Sequence, residues 1–411
     1  MILSFEKKLS ARLGELNGKK LLVALSGGKD SVSLLHFLKK NEGIKSYQIA
    51  ACHVNHMYRK TAWWDEKFCS DYCEKLSIPF ISYRCDVPRY CAVKKLSFEH
   101  GARVIRYRAL HEAAAHFGSD LILTAHTKDD VVETFFIQAV QGASAFSLKG
   151  ISDRDGLICR LMLDISSEEI YEYLNKYSIA YVIDETNNDE KYLRNFIRKN
   201  ITAKLTEFRK GYEDNIVSIM KDNIRFDNYL SDRLEPLIET PETGVMAVKT
   251  DVFNGLSELE QEYVLHKLGS KCFRFERRHL IEMQKILENE FSVRGDMPDG
   301  YKFEKSDKYL RLFHGRNVAP FEIFKPAGAD RVVVPQTGKE LRFTGKWKEK
   351  ELLIRNRRVG DRIKMKKVKD VFIDRKLDLY TRDTALIILE KNVIVWVENI
   401  SHDGTITLYV K

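Results

Sequence analysis

Short apolar runs alternate with helical stretches along the first half of the chain, and this alternation restricts the folds that it can adopt. Each run is nearly continuous, which is typical of strands buried on both faces of a parallel sheet. The pattern predicts strands at residues 21–25, 47–54, 80–87 and 121–123, and helices at 31–40, 65–76 and 99–117. We therefore expect a doubly wound α/β domain, a fold that binds ligands at the carboxyl ends of its strands.

The second half of the chain departs from this pattern. A helix is predicted after Ser166, which with Ser167 can cap its first turn, and residues 191–210 form a basic helical stretch. Strands return after Phe291, and residues 320–330 have the composition of a linker. We predict three domains: a catalytic domain at 1–208, a mainly helical middle domain at 209–318 and a small, basic α+β C-terminal domain at 319–411.

The composition excludes several classes of protein. Hydrophobic residues make up 44% of the chain and charged residues 31%, which is ordinary for a soluble globular protein. The apolar runs are too short to span a membrane, and Lys7 and Lys8 place charge where a signal peptide is apolar. Seven cysteines without a CxxC pair are expected to be reduced thiols. We expect a cytoplasmic protein without membrane contact; its oligomeric state is left open, with a homodimer among the alternatives.

A loop rich in glycine and serine lies between the first predicted strand and the first predicted helix. Its glycines let backbone N–H groups approach a phosphate, and the helix N-terminus adds positive potential. The spacing is not that of a Walker A motif, and a tight turn capped by Asp30 is the alternative. The loop resembles that of the ATP pyrophosphatases, or PP-loop enzymes, which implies ATP binding with Asp30 nearest to Mg²⁺. The predicted ATP contacts here are Ser26, Gly27, Gly28, Lys29, Asp30 and Ser31.

Polar residues also follow the second strand and occupy a later helix. His53, His56 and Arg59 emerge from the strand end, where the two histidines are candidate ATP contacts and an incidental surface loop is the alternative. Arg103 and Arg106 share one helical stripe with Glu99. From composition alone, a solvated Glu–Arg pair is the favoured interpretation of that stripe, and two arginines kept available for phosphates are the alternative.

An acidic group follows the fourth strand. Asp129 and Asp130 open a helix, where carboxylates cap the first turn and interact favourably with the helix dipole. Together with Glu133, and with His126 one turn earlier, they also form a compact anionic cluster. Such a cluster could hold an ammonium group or a metal ion, or take a proton from an amine. The capping role and the binding role are compatible.

Taken in order, these segments resemble the tRNA(Ile)-lysidine synthetase family, bacterial PP-loop enzymes. Any one motif is weak evidence, but six in the family order make the resemblance specific, and it spans nearly the whole chain. The six matching motifs are residues 26–31, 53–59, 99–107, 129–134, a two-part motif at 184–189 and 192–198, and residues 357–362.

The resemblance implies a ligase that forms a carbon–nitrogen bond. Such an enzyme would join L-lysine to carbon 2 of the wobble cytidine in the CAU anticodon of tRNA(Ile), which switches codon specificity from AUG to AUA. ATP would first adenylate the cytidine and release pyrophosphate, and the lysine amine would then displace AMP. The implied cofactors are ATP and Mg²⁺.

The resemblance also implies roles for individual residues. Arg103 or Arg106 would stabilise charge on the α-phosphate, whereas Asp129, Asp130 and Glu133 would hold the lysine ammonium and could deprotonate it. With Asp30, these residues form the predicted catalytic set.

Basic residues are expected to bind the tRNA. The chain carries a formal charge of +9. Residues 355–369 contain eight basic residues and one acid, and residues 191–210 contain seven basic residues and one acid. A solvated surface is the alternative interpretation of both runs. Binding a phosphate requires basic residues, but basic residues also occur on surfaces that bind no nucleic acid. The predicted tRNA contacts are Arg194, Arg198, Arg358, Arg362, Lys364, Lys366 and Lys367.

Two other functions stay open at this point. A tRNA thiolation enzyme of the same superfamily would need a nucleophilic cysteine or an iron–sulfur site, but Cys69 and Cys73 are spaced as buried helical thiols. A non-catalytic tRNA-binding protein with a degenerate loop would not need the intact segment from Ser26 to Ser31.

Overall fold

The computed structural model describes residues 2–43, 46–59, 61–183, 193–363, 365–401 and 405–409. The chain divides into two compact units, one formed by residues 1–141 and 147–223 and the other by residues 142–146 and 224–411. The predicted tRNA contact Lys364, the motif at 184–189 and Tyr192 lie outside the described residues. The predicted domain boundaries at 208 and 318 stay predictions.

The first unit is built from alternating strands and helices. Its elements are α1 (Ser4–Arg12), β1 (Lys20–Ala24), α2 (Lys29–Asn41), β2 (Gln48–Asn55), α3 (Ala62–Lys75), β3 (Phe80–Arg84), α4 (Val87–Lys94), α5 (Phe98–Phe117), β4 (Leu121–Leu123), α6 (Lys128–Val140), β5 (Arg154–Asp155), β6 (Ile158–Cys159), α7 (Ser167–Lys176), α8 (Leu193–Ile197), α9 (Ala203–Phe208) and the first part of α10 (Tyr212–Leu234). Residues 198–202 form a π-helical turn between α8 and α9. The predicted strands and helices of the first 125 residues are all present, and α1 and α4 are additional helices.

The strands form one six-stranded sheet in the order β3-β2-β1-β4-β6-β5. All neighbouring pairs are parallel except β5 with β6. Successive residues of β1 point to opposite faces, so Leu21 and Val23 pack in one buried cluster and Leu22 packs in another with Leu110. Both faces of the sheet are therefore covered, as the continuous apolar runs predicted, and the doubly wound parallel fold is confirmed.

The helices that begin at the carboxyl edge of this sheet carry polar caps. The Ser166 hydroxyl accepts a hydrogen bond from the Glu169 N–H at the start of α7, and the Glu169 carboxylate accepts one from the Ser166 N–H. Asp130 accepts the Thr127 N–H in the same way at the start of α6, at 2.9 Å. Because these caps fix where each helix begins, they also fix the positions of the adjoining acidic side chains.

The second unit is richer in antiparallel sheet. Its elements are the rest of α10, β7 (Glu239–Glu242), β8 (Val245–Lys249), α11 (Thr250–Asn254), α12 (Glu258–Ser270), α13 (Arg277–Leu287), β9 (Val293–Asp296), β10 (Tyr301–Lys305), β11 (Tyr309–His314), β12 (Glu322–Lys325), β13 (Arg331–Val333), β14 (Glu340–Phe343), β15 (Leu352–Asn356), β16 (Arg362–Ile363), β17 (Lys366–Lys367), α14 (Val368–Asp374), α15 (Leu379–Thr384), β18 (Leu386–Glu390), β19 (Val393–Val397) and β20 (Ile406–Tyr409). Strands β7 to β11 form one five-stranded sheet within the region expected to be mainly helical, and the later strands form three smaller sheets.

A buried charge network lies inside the second unit. Glu304 on β10 has no solvent exposure, and Arg294 lies 2.6 Å from its carboxylate. The same carboxylate accepts the Tyr380 N–H at 3.0 Å, so it links β10 to α15. Across the described residues of both units, no helix has the length and apolar composition needed to cross a membrane.

Candidate active site

The segment from Ser26 to Ser31 closes on itself by hydrogen bonds at the carboxyl end of β1. The Ser26 N–H donates to the Ser31 hydroxyl oxygen at 3.1 Å, and the Ser31 hydroxyl donates to the Gly28 carbonyl at 3.1 Å. The Gly28 N–H lies 3.3 Å from the Ser26 hydroxyl oxygen. The loop is thereby held as a tight turn that leads into α2, which is the βα context expected of a phosphate-binding loop.

Gly27 takes a backbone conformation that other residues rarely adopt. Its φ is +87°, and its carbonyl accepts the Val182 N–H at 2.9 Å. A Cβ at this position would lie 3.3 Å from the Cys69 sulfur and 3.4 Å from a Val182 methyl carbon. The loop therefore requires glycine here for both its conformation and its close packing.

Asp30 of the loop and Asp129 of α6 are connected through one lysine and one serine. Lys29 Nζ lies 2.6 Å from Asp30 Oδ1 and 2.8 Å from the Ser167 hydroxyl oxygen. That hydroxyl in turn donates to Asp129. Burial raises the pKa of Asp30, as do the charges of Asp130 and Asp129, whereas Lys29 lowers it. The carboxylates thus share one region of negative potential, in which a further cation is favoured.

Glu133 is the most deeply buried carboxylate of the acidic group. Its relative exposure is 1%, and Arg198 Nε donates to Oε1 at 2.6 Å while Arg198 Nη2 donates to Oε2 at 3.1 Å. Arg194 lies 3.6 Å from the same carboxylate and 4.0 Å from Asp130. Burial raises the pKa of Glu133, and Arg198 opposes that shift. Two arginines predicted as tRNA contacts therefore pair with carboxylates inside the candidate site.

The histidines that follow β2 and β4 are neutral at physiological pH. Burial lowers the pKa of His56 to about 4, and the nearby charges of Arg106 and His53 act in the same direction. Burial also lowers the pKa of His126 to about 4, where Asp130 opposes the shift. His53 is buried, with Nδ1 2.9 Å from the Leu25 carbonyl, so it ties β2 to the residue before the phosphate loop.

The structure distinguishes the two arginines of α5. Arg106 lines the cleft that contains the phosphate loop. Arg103 stacks instead on Tyr107, with its guanidinium carbon 4.9 Å from the ring centroid. Of the two predicted α-phosphate contacts, Arg106 is therefore the better placed.

These side chains border one cleft of ≈ 1110 Å³. Its walls come from the carboxyl ends of β1, β2 and β4, from α2, α5, α6 and α7, and from residues of the segment 194–214. The predicted site residues on its walls are Ser26, Gly28, Lys29, Asp30, Ser31, His53, His56, Arg106, Asp129, Asp130, Glu133, Arg194 and Arg198. Sequence reasoning did not identify Ser167, Tyr58 or Phe98 as site residues, although all three line this cleft. The available signal for Ser167 was its position at the start of a helix that follows a strand end.

No described residues form a group of three or more histidine, cysteine, aspartate or glutamate side chains suited to a metal ion. Mg²⁺ on a nucleotide commonly uses only one or two protein carboxylates, with phosphates and water as its other ligands. The chemistry of Asp30, with Asp129 and Asp130 close enough to raise its pKa, fits that requirement.

The predicted tRNA contacts in the second unit differ in their partners. Arg358 pairs with Glu322 at 2.7 Å. Arg355 in the same basic run is buried and pairs with Asp361 at 2.7 Å, so part of the run is structural. Arg362, Lys366 and Lys367 are exposed in or beside the two-stranded ribbon β16–β17.

Comparison with known proteins gives the chain a family. A family model described as a PP-loop domain matches residues 1–205. A tRNA(Ile)-lysidine synthase from Pseudothermotoga lettingae is 30% identical, covering 92% of this chain and 86% of that protein. Proteins of the same name from Thermotoga maritima and Clostridioides difficile are 28% and 29% identical, over 93% and 92% of this chain and 92% and 90% of theirs. With its phosphate loop, acidic cluster and basic second unit, the chain belongs to the tRNA(Ile)-lysidine synthase family.

Proposed function

We propose that this protein uses ATP to join lysine to carbon 2 of the wobble cytidine of tRNA(Ile) with a CAU anticodon. The observation that carries the proposal is the placement of Asp30, Asp129 and Arg106 in one cleft beside the phosphate loop, in a chain whose relatives match over nearly its full length. The cleft offers donors for phosphates, carboxylates for a cation and an amine, and room for a nucleotide and an exposed base.

In the first step, O2 of the cytosine attacks the α-phosphorus of ATP, the bond to the bridging oxygen of the β-phosphate breaks, and pyrophosphate leaves. The backbone N–H groups and hydroxyls of the loop from Ser26 to Ser31 bind the departing phosphates. Arg106 offsets the negative charge that develops on the α-phosphate. Mg²⁺, held by Asp30, would neutralise the polyphosphate.

In the second step, the lysine ε-nitrogen forms a bond to carbon 2, the bond from carbon 2 to O2 breaks, and O2 leaves on AMP. The amine must lose a proton, because only its neutral form is nucleophilic. Asp129 and Asp130 are the proposed ammonium contacts and proton acceptors. Glu133 was predicted for the same role, which stays a prediction; its carboxylate is occupied by Arg198 at 2.6 Å, so an incoming ammonium would share Glu133 with that arginine.

The tRNA is proposed to contact the exposed cations of the second unit. Arg362, Lys366 and Lys367 present positive charge at or near a short ribbon, a form suited to phosphate contacts that position a nucleic acid without reading its sequence. Arg358 has half of its side chain exposed and can contribute despite its pair with Glu322. Arg194 and Arg198 are proposed to act inside the cleft, where the substrate base must enter.

The decisive experiment measures incorporation of labelled lysine into tRNA transcripts with and without ATP. The transcript of tRNA(Ile) with a CAU anticodon is the substrate, and the methionine tRNA with the same anticodon is the control. We expect ATP-dependent labelling of the first alone, with one AMP and one pyrophosphate released for each lysine. Absence of labelling by a preparation that binds ATP would refute the proposal.

The positions of the cysteines do not favour tRNA thiolation. All seven are free, and five of them are buried, including Cys69 and Cys73. Burial raises the pKa of Cys73 to about 12, so its thiol stays protonated and weakly nucleophilic at neutral pH. Alanine at Cys69 and Cys73 is therefore expected to leave lysine incorporation intact.

A further inference from the structure

An aromatic pair forms part of the wall of the cleft without a role in the chemistry described above. Tyr58, in the loop after β2, and Phe98, the first residue of α5, both line the cleft. Their ring centroids are 4.2 Å apart with the planes inclined by 37°. Tyr58 keeps 51% of its surface exposed, so ring surface stays available to a ligand.

The backbone holds Tyr58 in this position. Met57 has a φ of +52°, in the left-handed region that is unfavourable for methionine, and its N–H donates to Asn55 Oδ1 at 2.9 Å. Asn55 is itself buried, and its Nδ2 donates to Glu66 at 2.9 Å and to the Ala62 carbonyl at 3.2 Å. A strained turn fixed by a buried amide presents the ring to the cleft, so its exposure is a built feature of the loop.

Phe98 is anchored in a comparable way. It packs against a small buried cluster that contains Val87, Cys91 and Ala102. Ser97 caps α5 by accepting the His100 N–H at 3.3 Å, which fixes where the helix, and therefore Phe98, begins. The two rings thus come from separate, fixed elements and form one aromatic surface on the cleft wall.

The segment of the chain that contains Phe98 is basic. Residues 87–108, which contain α4 and the first half of α5, include six lysines and arginines and a single acid, Glu99. Lys94 and Lys95 are exposed a few residues before Phe98, and Arg106 lines the cleft itself. Aromatic rings beside cations are what proteins use to bind unpaired nucleotides, because bases stack on the rings and phosphates interact with the cations.

We propose that Tyr58 and Phe98 form a stacking surface for an unpaired base adjacent to the nucleotide that is modified. The inference rests on the proposed function, since that function places a single-stranded anticodon loop in this cleft. A base next to the target must lie near the cleft when the target enters it, and stacking would hold the loop open without reading its sequence. The adenine of ATP is the competing occupant, and the test separates the two.

The test measures the affinity of the full-length protein for a labelled RNA stem-loop that carries the CAU anticodon. Tyr58→Ala and Phe98→Ala are expected to weaken binding roughly 5- to 150-fold, the range found when a stacking aromatic is removed. Tyr58→Phe keeps the ring and should bind as the wild type does, whereas Tyr58→Leu keeps apolar surface and should bind weakly. ATP affinity should be unchanged in all four variants.

A matched control comes from a second aromatic pair. Trp63 and Trp64 are stacked at 3.7 Å and are 48% and 57% exposed, but within the described part of the chain they do not belong to the cleft lining. Trp64→Ala removes a similar exposed ring and is expected to leave RNA affinity unchanged. An equal loss of RNA affinity in Trp64→Ala and Tyr58→Ala would overturn the proposal that the base stacks on the aromatic pair of the cleft wall.

An abasic nucleotide identifies the occupant. In the RNA, each of the two nucleotides beside the wobble base is replaced in turn by an abasic nucleotide. One of the two replacements should weaken binding by the wild type, and Tyr58→Ala should not show that loss. No coupling at either position, or weaker ATP binding by Tyr58→Ala, would overturn the proposal. Because these readouts are affinities, a wild type that binds the RNA with this coupling but incorporates no lysine would refute the proposed function while leaving the stacking surface supported.

Discussion

Arg198 donates two hydrogen bonds to the buried carboxylate of Glu133, at 2.6 and 3.1 Å. The two side chains come from different helical segments that are 65 positions apart in the sequence. Removing one partner of a buried pair costs about 3–5 kcal/mol, because the other charge loses its compensation. Arg194, 3.6 Å from the same carboxylate, still compensates part of the charge of Glu133. Because 44% of the Arg198 side chain is exposed, we expect a loss of stability at the lower end of the range for buried pairs.

Arg198→Ala should therefore lower the stability of the protein, and more so at high pH. Burial already raises the pKa of Glu133, so its folded state binds a proton more readily than its unfolded state does. The deficit should be smaller at pH 5 than at pH 8, because a protonated carboxyl no longer leaves a buried charge. Urea unfolding at the two pH values measures this, and Glu133→Gln/Arg198→Ala should recover stability at pH 8. A deficit that is independent of pH would contradict it.

Asp30→Asn should abolish most of the adenylation step. The substitution keeps the shape of the side chain but removes the charge proposed to hold Mg²⁺ and frees Lys29 from its 2.6 Å contact. We expect a fall of roughly 10²-fold or more in ATP–pyrophosphate exchange measured with the CAU transcript. Asp71→Asn is the matched control, since Asp71 is exposed and pairs with Lys67 on its own helix. Exchange within twofold of the wild type in Asp30→Asn would exclude that role.

Asp129→Asn should separate the two steps of the reaction. Asp129 accepts a hydrogen bond from Ser167, and its charge is the proposed contact for the lysine ammonium. We expect the lysine KM to rise roughly 10-fold or more, by analogy with the loss of one charged partner from a buried site. ATP–pyrophosphate exchange should persist, because it needs no lysine. Equal losses in both assays would mean that Asp129 serves ATP rather than the amine.

His56 and His126 should not titrate in the physiological range. Burial lowers the pKa of each to about 4, against an unperturbed value near 6.5. Both rings stay neutral from pH 6 to pH 8, so their NMR chemical shifts should be constant there. Stability should decline as pH falls from about 6.5 towards 4, since the unfolded chain takes up protons that the folded sites resist. A midpoint between pH 6 and 7 for either ring would refute this.

Much of the first unit could be predicted because its signals are local. The apolar run of β1 and the loop from Ser26 to Ser31 lie within a dozen residues, and so do His126 and the acidic group on α6. The role of Ser167 could not be predicted, because it depends on a contact with Asp129, 38 residues away. The pairing of Glu133 with Arg198 is equally non-local. A count of basic residues predicts a nucleic-acid surface, but it does not show which of those residues already pair with a carboxylate.

Charge runs in the second unit illustrate the same limit. Arg355 and Arg358 belong to the basic run, yet each has a carboxylate partner within 2.7 Å. Only tertiary structure separates cations that already have a carboxylate partner, such as the buried Arg355, from exposed ones such as Lys366 and Lys367. The pattern of the sequence therefore predicts the sign of this surface but not which residues are available to a ligand.

Reversing the charge of Lys366 and Lys367 should weaken tRNA binding without affecting ATP. Both side chains are exposed in β17. Removing one cation that pairs with a phosphate should reduce the slope of log affinity against log salt concentration by about 0.9. We expect Lys366→Glu/Lys367→Glu to raise the tRNA KM roughly 10-fold or more at moderate salt, and the difference from the wild type to shrink as salt increases. Lys221→Glu/Lys285→Glu makes the same change in net charge at exposed helical positions and is the control. If both double variants raise the tRNA KM equally, net charge rather than the ribbon β16–β17 governs binding; if the ribbon is the contact, only the first variant does so, and the ATP KM is unchanged in both.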